Sequence, residues 1–540
     1  MNSARPDPVD VLVIGAGPSG AIVSHTLASR GFSVLCLEQG DWVSTDDYPT
    51  NSPAWELLAY RRWAHDPNQR RLPADYPLNV KNSAISPAMF SGVGGSTIAW
   101  GAQWPRLVPS DFRVRSLDGV ADDWPIGYAD LAPYYDEIDN AVGAAGLGGN
   151  PAYPEGLDYP LPPHPLGKVG RRAAQGMNRL GYQWWPGANC IPTAKTKHLG
   201  MCVRYGVCVW GCPVGAKASF DLAYWPMAMQ AGANLTTGAR VRRLVTDRSG
   251  QVSGADWVDV DGGEHFQAAD VVVLCANGIG TPRLLLLSAD ERHPDGLANS
   301  SGLVGRNLML HPNSSVIGFY DDDLESWLGP LGELVSSHQF YETDPARDFV
   351  RGAKLHAMPT PGVLLSAIDF HRTRGFDELW GAPIHEVARM AGRGILWADN
   401  AEDLPEEHNR VTLDDRLRDS SGLAAPRIDY TLSDNTTRIM RFALERMQEI
   451  HEASGAVRTI AKDLWEDEPG HLLGTARMGA DPARSVVNEW GQAHDVTNLF
   501  IADGSIFVTG GAANPTSTIC ALALRIGRHL ADTAPNRSAA

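Results

Sequence analysis

The 540-residue sequence predicts a mixed α/β plus β protein of two lobes, one of them a parallel-sheet lobe built from separated stretches of chain. Three observations predict it. The N-terminus reads strand, glycine turn, helix, strand. An apolar strand near residue 270 runs into a helix, and the C-terminus again reads strand, loop, helix.

Val9 to Ile14 is an apolar run, followed by the turn GAGPSG, an amphipathic stretch to Ser29, a break at Gly31 and a second run from Ser33 to Leu37. This is one βαβ unit. From Asp41 to Pro165 the chain is rich in Trp, Pro and Tyr with little periodicity, apart from the glycine-rich SGVGGSTIAWGAQWPRL, so it is expected to wrap over the first lobe. Short strands return from Val241 to Ala276 and end in ADVVVLCANGIGTPRLLLLS, where a helix is expected to open near Thr281 and Pro282. Between Gly318 and Gly470, alternating segments such as RVTLDD and RIDYTLSD suit an antiparallel sheet, with a helix over Asn435 to Ala453. The expected division is 1–110, 218–318 and 471–540 for the first lobe. The second takes 111–217 and 319–470, including the cysteine-rich segment 202–213.

Hydrophobic residues make up 43% and charged residues 20%, a balance that supports a large core and excludes a disordered or fibrous chain. A net charge of −17 disfavours binding to nucleic acid or anionic lipid. No apolar run approaches the roughly 18 residues a membrane span requires. The start MNSARPDPVD lacks a secretory pattern, so a cytoplasmic location is expected unless a signal-bearing partner carries the protein out. Seven cysteines, an odd number without framework spacing, argue against a disulfide-stapled fold.

Gly15-x-Gly17-x-x-Gly20 stands between strand and helix, with Glu38 at the end of the next strand. Such a turn lets a pyrophosphate approach the backbone at a helix N-terminus, while the acid accepts from ribose hydroxyls. It admits FAD or NAD. Gly94-Gly95-Ser96-Thr97 is a second loop whose bare backbone suits close approach to a ring or phosphate, or a purely structural turn. His471 in HLLGTARMG and Asn514 in AANPTS form a third constellation. A neutral imidazole can take a hydroxyl proton, and an asparagine amide can hold the same oxygen. Taken alone, a histidine such as His471 is more often a satisfied core or cap residue. Cys202, Cys208 and Cys212 precede Pro213. Three thiolates suit a three-iron cluster, zinc would need a fourth ligand such as His198 or Cys190, and buried thiols packing a loop are the plain alternative.

Six blocks in order, VLVIGAGPSGAIVSHTLASRGFSVLCLEQG, GVGGSTIAWGA, ANGIGTPRLLLLS, GRNLMLHP, HLLGTARMG and NLFIADGSIFVTGGAANPTSTICALAL, resemble the glucose-methanol-choline family of FAD oxidoreductases over nearly the whole chain. Within the family the sequence most resembles the branch of pyranose oxidases, gluconate and fructose dehydrogenases, and bacterial glucose dehydrogenase catalytic subunits. The resemblance implies FAD on Gly15, Gly17, Gly20, Glu38 and Gly94 to Thr97, with Asp503, Pro515 and Thr516 lining the same cofactor. His471 falls on the family's catalytic histidine and Asn514 on its partner, while His311 in LMLHP is a further candidate beside the flavin or a structural residue. Ala99 stands where covalently flavinylated relatives carry a histidine, which implies non-covalent FAD. The related glucose dehydrogenase subunit holds a [3Fe–4S] cluster on matching cysteines, although here Val203 replaces one of an adjacent pair.

The implied activity is oxidation of a CH–OH group of a sugar, glycoside or related polyol. Hydride passes to flavin N5 and electrons leave to a non-NAD acceptor, with a small accessory subunit and a cytochrome as implied partners. An oxygen-using oxidase is the competing reading within the family. From the residues alone, an NAD-dependent dehydrogenase and a non-catalytic electron-relay subunit also stay open.

Overall fold

The computed structural model describes residues 7–59, 62–360, 362, 385, 388–467 and 470–534. Parts of the expected lobes, notably 363–384 in the second, lie outside the described residues.

Strand β1 (Val9–Ile14) is buried along almost its whole length, which is why it reads as a continuous apolar run rather than an alternating one. It pairs in parallel with β2 (Val34–Leu37) on one side and β8 (Glu264–Leu274) on the other. Beyond β2 lies β5 (Asn234–Thr236), and β16 (Leu499–Ile501) joins β8 in parallel. The first half of β8 instead continues antiparallel into β7 (Val252–Val258) and β6 (Arg240–Thr246). This seven-stranded sheet draws its strands from three distant stretches. Helices Pro18–Ala28 and Thr516–Thr533 pack together, with Gly527 admitting Thr26 at 3.3 Å from where a Cβ would stand.

The helix after β8 spans Asn277–Leu287, so it opens before Pro282 rather than at it. Asn277 makes this start feasible: its side-chain oxygen accepts from the Ile279 and Gly280 amides. Pro282 has no N–H to give the carbonyl of Gly278, four residues back. Thr475 Oγ1 donates to that carbonyl instead, at 2.7 Å, and ties the helix to the loop that carries His471.

A second sheet, antiparallel throughout, runs β15 (Arg458–Lys462), β9 (Ser315–Phe319), β12 (Gly394–Ala401), β11 (Ala353–Pro359), β10 (Val335–Phe340), β4 (Trp185–Pro186). Helices Gly167–Leu180 and Asp434–Ser454 cover one face, packing Val169, Ala173, Met177, Ile439 and Met447 against Val316, Leu355, Ala357 and Trp397. The alternate residues of the same strands face the other way. That opposite face builds the site.

RVTLDD and RIDYTLSD do pair antiparallel, as β13 (Arg410–Arg418) and β14 (Ala424–Tyr430), but they stand outside this sheet. They form a small sheet with β3 (Asn79–Ser83), packing Val411, Ile428 and Tyr430 on Ile279 and Leu308 beneath the Asn277 helix. The aperiodic reading of Asp41 to Pro165 also needs correction, because Tyr128–Val142 is a helix. Its buried stripe Leu131, Tyr135, Ile138 and Val142 has helical spacing that Pro133, on the exposed side, obscures.

The Thr475 bond gives a test. Thr475→Val leaves a buried carbonyl unpaired and should lower unfolding stability by about 1–3 kcal/mol, while Thr475→Ser should recover most of it; chemical denaturation of the two variants checks the pair.

Candidate functional site

A cavity of about 560 Å³ runs from the carboxyl ends of β1 and β2 to the open face of the antiparallel sheet. Gly15, Gly17, Pro18, Ser19 and Glu38 line one end, His471, Asn514 and Asn400 the other, with Gly95 to Thr97 between. Gly20 lies beneath, where a Cβ would come within 2.0 Å of the Gly15 carbonyl, so only glycine lets helix and turn close together. At Gly17 a Cβ would meet nothing within 4 Å. The turn therefore presents open space at a helix N-terminus, which suits a pyrophosphate.

The second glycine loop packs on the first. Gly94 donates its N–H to the Ala16 carbonyl at 2.9 Å, and a Cβ on Gly95 would stand 3.0 Å from Gly17 Cα, with Gly95 at φ +57°. Thr97 is buried; its hydroxyl donates to Gly94 O and accepts from Phe220 N, locking the loop to the next segment. Ser96 Oγ accepts from Phe90 N, and Ala99, also on the wall, offers only a methyl group.

Glu38 is more committed than its motif suggests. Its two carboxylate oxygens accept from Ala16 N and Gly40 N, each at 2.8 Å. Burial raises its pKa against those amides, and each oxygen keeps a lone pair for a ribose hydroxyl. Asp503 likewise lines the wall and gathers Asn277 N, Thr281 Oγ1 and Ser505 around its carboxylate. Pro515 caps the helix Thr516–Thr533, whose first residue Thr516 reaches the cavity. Positive helix ends thus face the cavity from two directions.

At the other end Asn514 Nδ2 lies 3.3 Å from His471 Nε2. His471 Nδ1 meets His311 Nδ1 at 3.0 Å, with the rings edge to face. His311 is fully buried, and its Nε2 faces the backbone of Gly510 and Gly511. Burial holds the pKa of His471 well below the usual imidazole value, reinforced by His311, Lys354 and His356; burial also takes His311 down to about 4. Both rings are neutral near pH 7. A neutral His471 opening on the cavity is able to accept a proton.

Three residues of this end had no motif to announce them. Lys354, His356 and Met358 alternate along β11, with Asn400, Ala398 and Leu396 opposite them on β12. Lys354 is fully buried, donating to Glu333 Oε2 and Asn514 Oδ1, each at 2.7 Å. A charged residue inside AKLHAMP, an otherwise apolar strand, was the available signal.

Cys202, Cys208 and Cys212 lie near one another, close enough that the Cys208 thiol feels both of the others. Each sulfur accepts a different backbone amide, Cys202 from Arg204, Cys208 from Leu331 and Cys212 from Ala216. Among the described residues no three His, Cys, Asp or Glu side chains converge as metal ligands. Cys208 is buried, with its pKa pushed up to about 12 mainly by burial.

Among the described residues no helix is long and apolar enough to cross a membrane. Residues 10–313 and 405–523 match the N- and C-terminal family models of GMC oxidoreductase. The chain is 42% identical to 2-methyl-1,2-propanediol dehydrogenase of Mycolicibacterium austroafricanum, over 97% of this chain and 95% of that one. It is 30% identical to the fructose dehydrogenase large subunit of Gluconobacter japonicus, over 96% of each. The crystal structure of pyridoxine 4-oxidase from Mesorbium loti shares the fold, with a TM-score of 0.66 at 19% identity over 96% of this chain and 99% of that one. A nucleotide cradle and a neutral histidine–asparagine pair thus share one cavity in a chain that belongs to the GMC oxidoreductase family of flavoproteins, acting on alcohol or sugar-like substrates.

Proposed function

We propose that this protein is an FAD-dependent dehydrogenase that oxidises a CH–OH group of a short, largely aliphatic alcohol or diol. The observation that carries the reading is the shared cavity, with Gly15, Gly17 and Glu38 at one end and His471 with Asn514 at the other. FAD, held without a covalent bond, would supply the hydride acceptor. His471 takes the hydroxyl proton through Nε2, and the Asn514 amide holds the oxygen. The cofactor lobe is taken as 1–110, 218–318 and 471–540, and the substrate lobe as 111–217 and 319–470.

The sheet face supports the substrate class. Its cross-strand rows change character along the strands: Lys354 and Asn400 beside Asn313, then His356 and Ala398, then Met358, Leu396 and Ile317. The first and last rows are four residues apart, or about 13 Å. A hydroxyl at the polar row therefore extends its carbon body toward an apolar one, with Trp465 also on the wall. Such a chamber favours a compact diol over a hexose carrying hydroxyls on every carbon. The name of the 42% identical relative agrees. The relative named as a large subunit supports a protein electron carrier or accessory subunit as partner.

Anaerobic bleaching of the flavin by 2-methyl-1,2-propanediol, 1,2-propanediol, glucose and fructose tests the substrate class. The diols should bleach at lower concentration, and preferential bleaching by the hexoses would sink it. Reoxidation should be faster with a dye acceptor than with air. His471→Ala should retain flavin yet slow its reduction by about 10²- to 10⁴-fold. The reactive form of His471 is the neutral one and its pKa is depressed, so activity should persist as pH falls through about 6.5 and drop only in more acidic buffer. Iron and acid-labile sulfide assays on the purified flavoprotein test Cys202, Cys208 and Cys212 as cluster ligands: iron and sulfide in stoichiometry with flavin would establish the cluster, and neither being present would exclude it.

A further inference from the structure

Amide nitrogen and oxygen look alike in shape, and only their partners tell them apart. Two independent anchors do so around Asn514. An ammonium has donors only, so Lys354 Nζ at 2.7 Å must face the Asn514 oxygen. A backbone carbonyl accepts only, so the Asp399 oxygen at 2.6 Å must face the Asn313 nitrogen. That nitrogen also donates to Asn400 Oδ1 at 2.6 Å, which leaves Asn400 Nδ2 to donate to Asn514 Oδ1 at 2.9 Å. Both chains assign the same atom, so Asn514 Nδ2 points at His471 Nε2.

The consequence passes through the histidines. A nitrogen facing an N–H donor carries a lone pair, so the His471 proton sits on Nδ1, where His311 Nδ1 accepts it. The His311 proton is then on Nε2, which faces the Gly510 and Gly511 backbone without a well-aligned acceptor. Burial lowers the pKa of Lys354 while Glu333 pulls it back up, and the 2.7 Å pair with that equally buried carboxylate favours the charged form.

We propose that Lys354, together with Asn400, is a positioning residue for the alcohol oxidation: the two donors fix the hydrogen-bond polarity of Asn514 and thereby leave His471 Nε2 unprotonated toward the substrate. With the polarity set this way, an alcohol oxygen between the two residues accepts from Asn514 Nδ2 while its own proton goes to His471 Nε2. Reversed, Asn514 would offer an oxygen to the alkoxide and His471 a proton. The inference rests on the proposed roles of His471 and Asn514.

The test uses the flavin-loaded enzyme and three variants. Removing Lys354 alone strands the Glu333 carboxylate and leaves the Asn400 anchor in place, so the probe is Lys354→Met with Glu333→Leu and Asn400→Leu, compared with Asn514→Leu and with all four changes together. Expected is retained flavin, reduction slowed by about 10²-fold at saturating substrate, and a half-saturating concentration changed little. The quadruple variant should be no slower than Asn514→Leu, because these residues act as one unit. If Asn514→Leu is slow but the Lys354 triple variant reduces its flavin at the parental rate, the inference is overturned. Asn514→Leu reacting at the parental rate instead overturns the reading of the pair on which it stands. Should the triple variant lose flavin, neutron diffraction of the unaltered holoenzyme decides: deuterons on the Asn514 atom facing His471 and none on His471 Nε2 support the inference, and the opposite assignment ends it.

Discussion

Two glycine turns in backbone contact, Gly94 N–H on the Ala16 carbonyl and Gly95 against Gly17, set the position of everything that lines the cavity. The first turn is fixed by the parallel sheet through Gly15 N on Leu37 O, and by Glu38 clasping Ala16 and Gly40. The second hands that position on through Thr97 to Phe220, and through Trp104 to Ala188. A side chain at Gly95 would stand 3.0 Å from Gly17 Cα and press the two turns apart. The stretch from Asp41 onward is held over the nucleotide end by main chain, not by a hydrophobic patch that could slide.

The chemical end obeys a different constraint. Buried beside Lys354, His311 and His356, His471 is neutral near pH 7, so in the proposed reaction it would take its proton only as hydride departs. A weak base serves there because the two transfers are coupled: the alcohol loses negative charge to the acceptor as it loses its proton. The same buried cation favours negative charge building on an oxygen near Asn514. Lys354 thus touches both members of the proposed pair, lowering the His471 pKa by its charge and donating to the Asn514 oxygen.

One sheet serves two purposes because strand residues alternate. Val316, Leu355, Ala357 and Trp397 point into a helix-covered core, while Ile317, His356, Met358 and Leu396 point into the cavity. Rigidity of the covered face positions the open one, and substitutions in the chamber can alter specificity with little cost to the core. The thiol segment 202–213 stands apart from this division. Each of its sulfurs accepts a backbone amide, two from within the segment's own neighbourhood and Cys208 from Leu331, which ties the loop to the rest of the fold.

Local pattern was enough for the elements whose neighbours in sequence are also their neighbours in space. β1, the glycine turn, β2 and the helix after Asn514 were legible because a buried parallel strand must be apolar throughout and a phosphate-binding turn must be glycine-rich. The helix Tyr128–Val142 was hidden by Pro133, and β13 and β14 were read correctly as strands but placed in the wrong sheet. Strand pairing is decided by which edge is free in three dimensions, and no local signal records that. Likewise, ordered sequence blocks were sufficient to single out His471 and Asn514. Only the tertiary structure brought Lys354, Asn400 and Asn313 to the same oxygen from strands and loops scattered along the chain, because hydrogen-bond direction belongs to a set of atoms in space and not to any one position in the sequence.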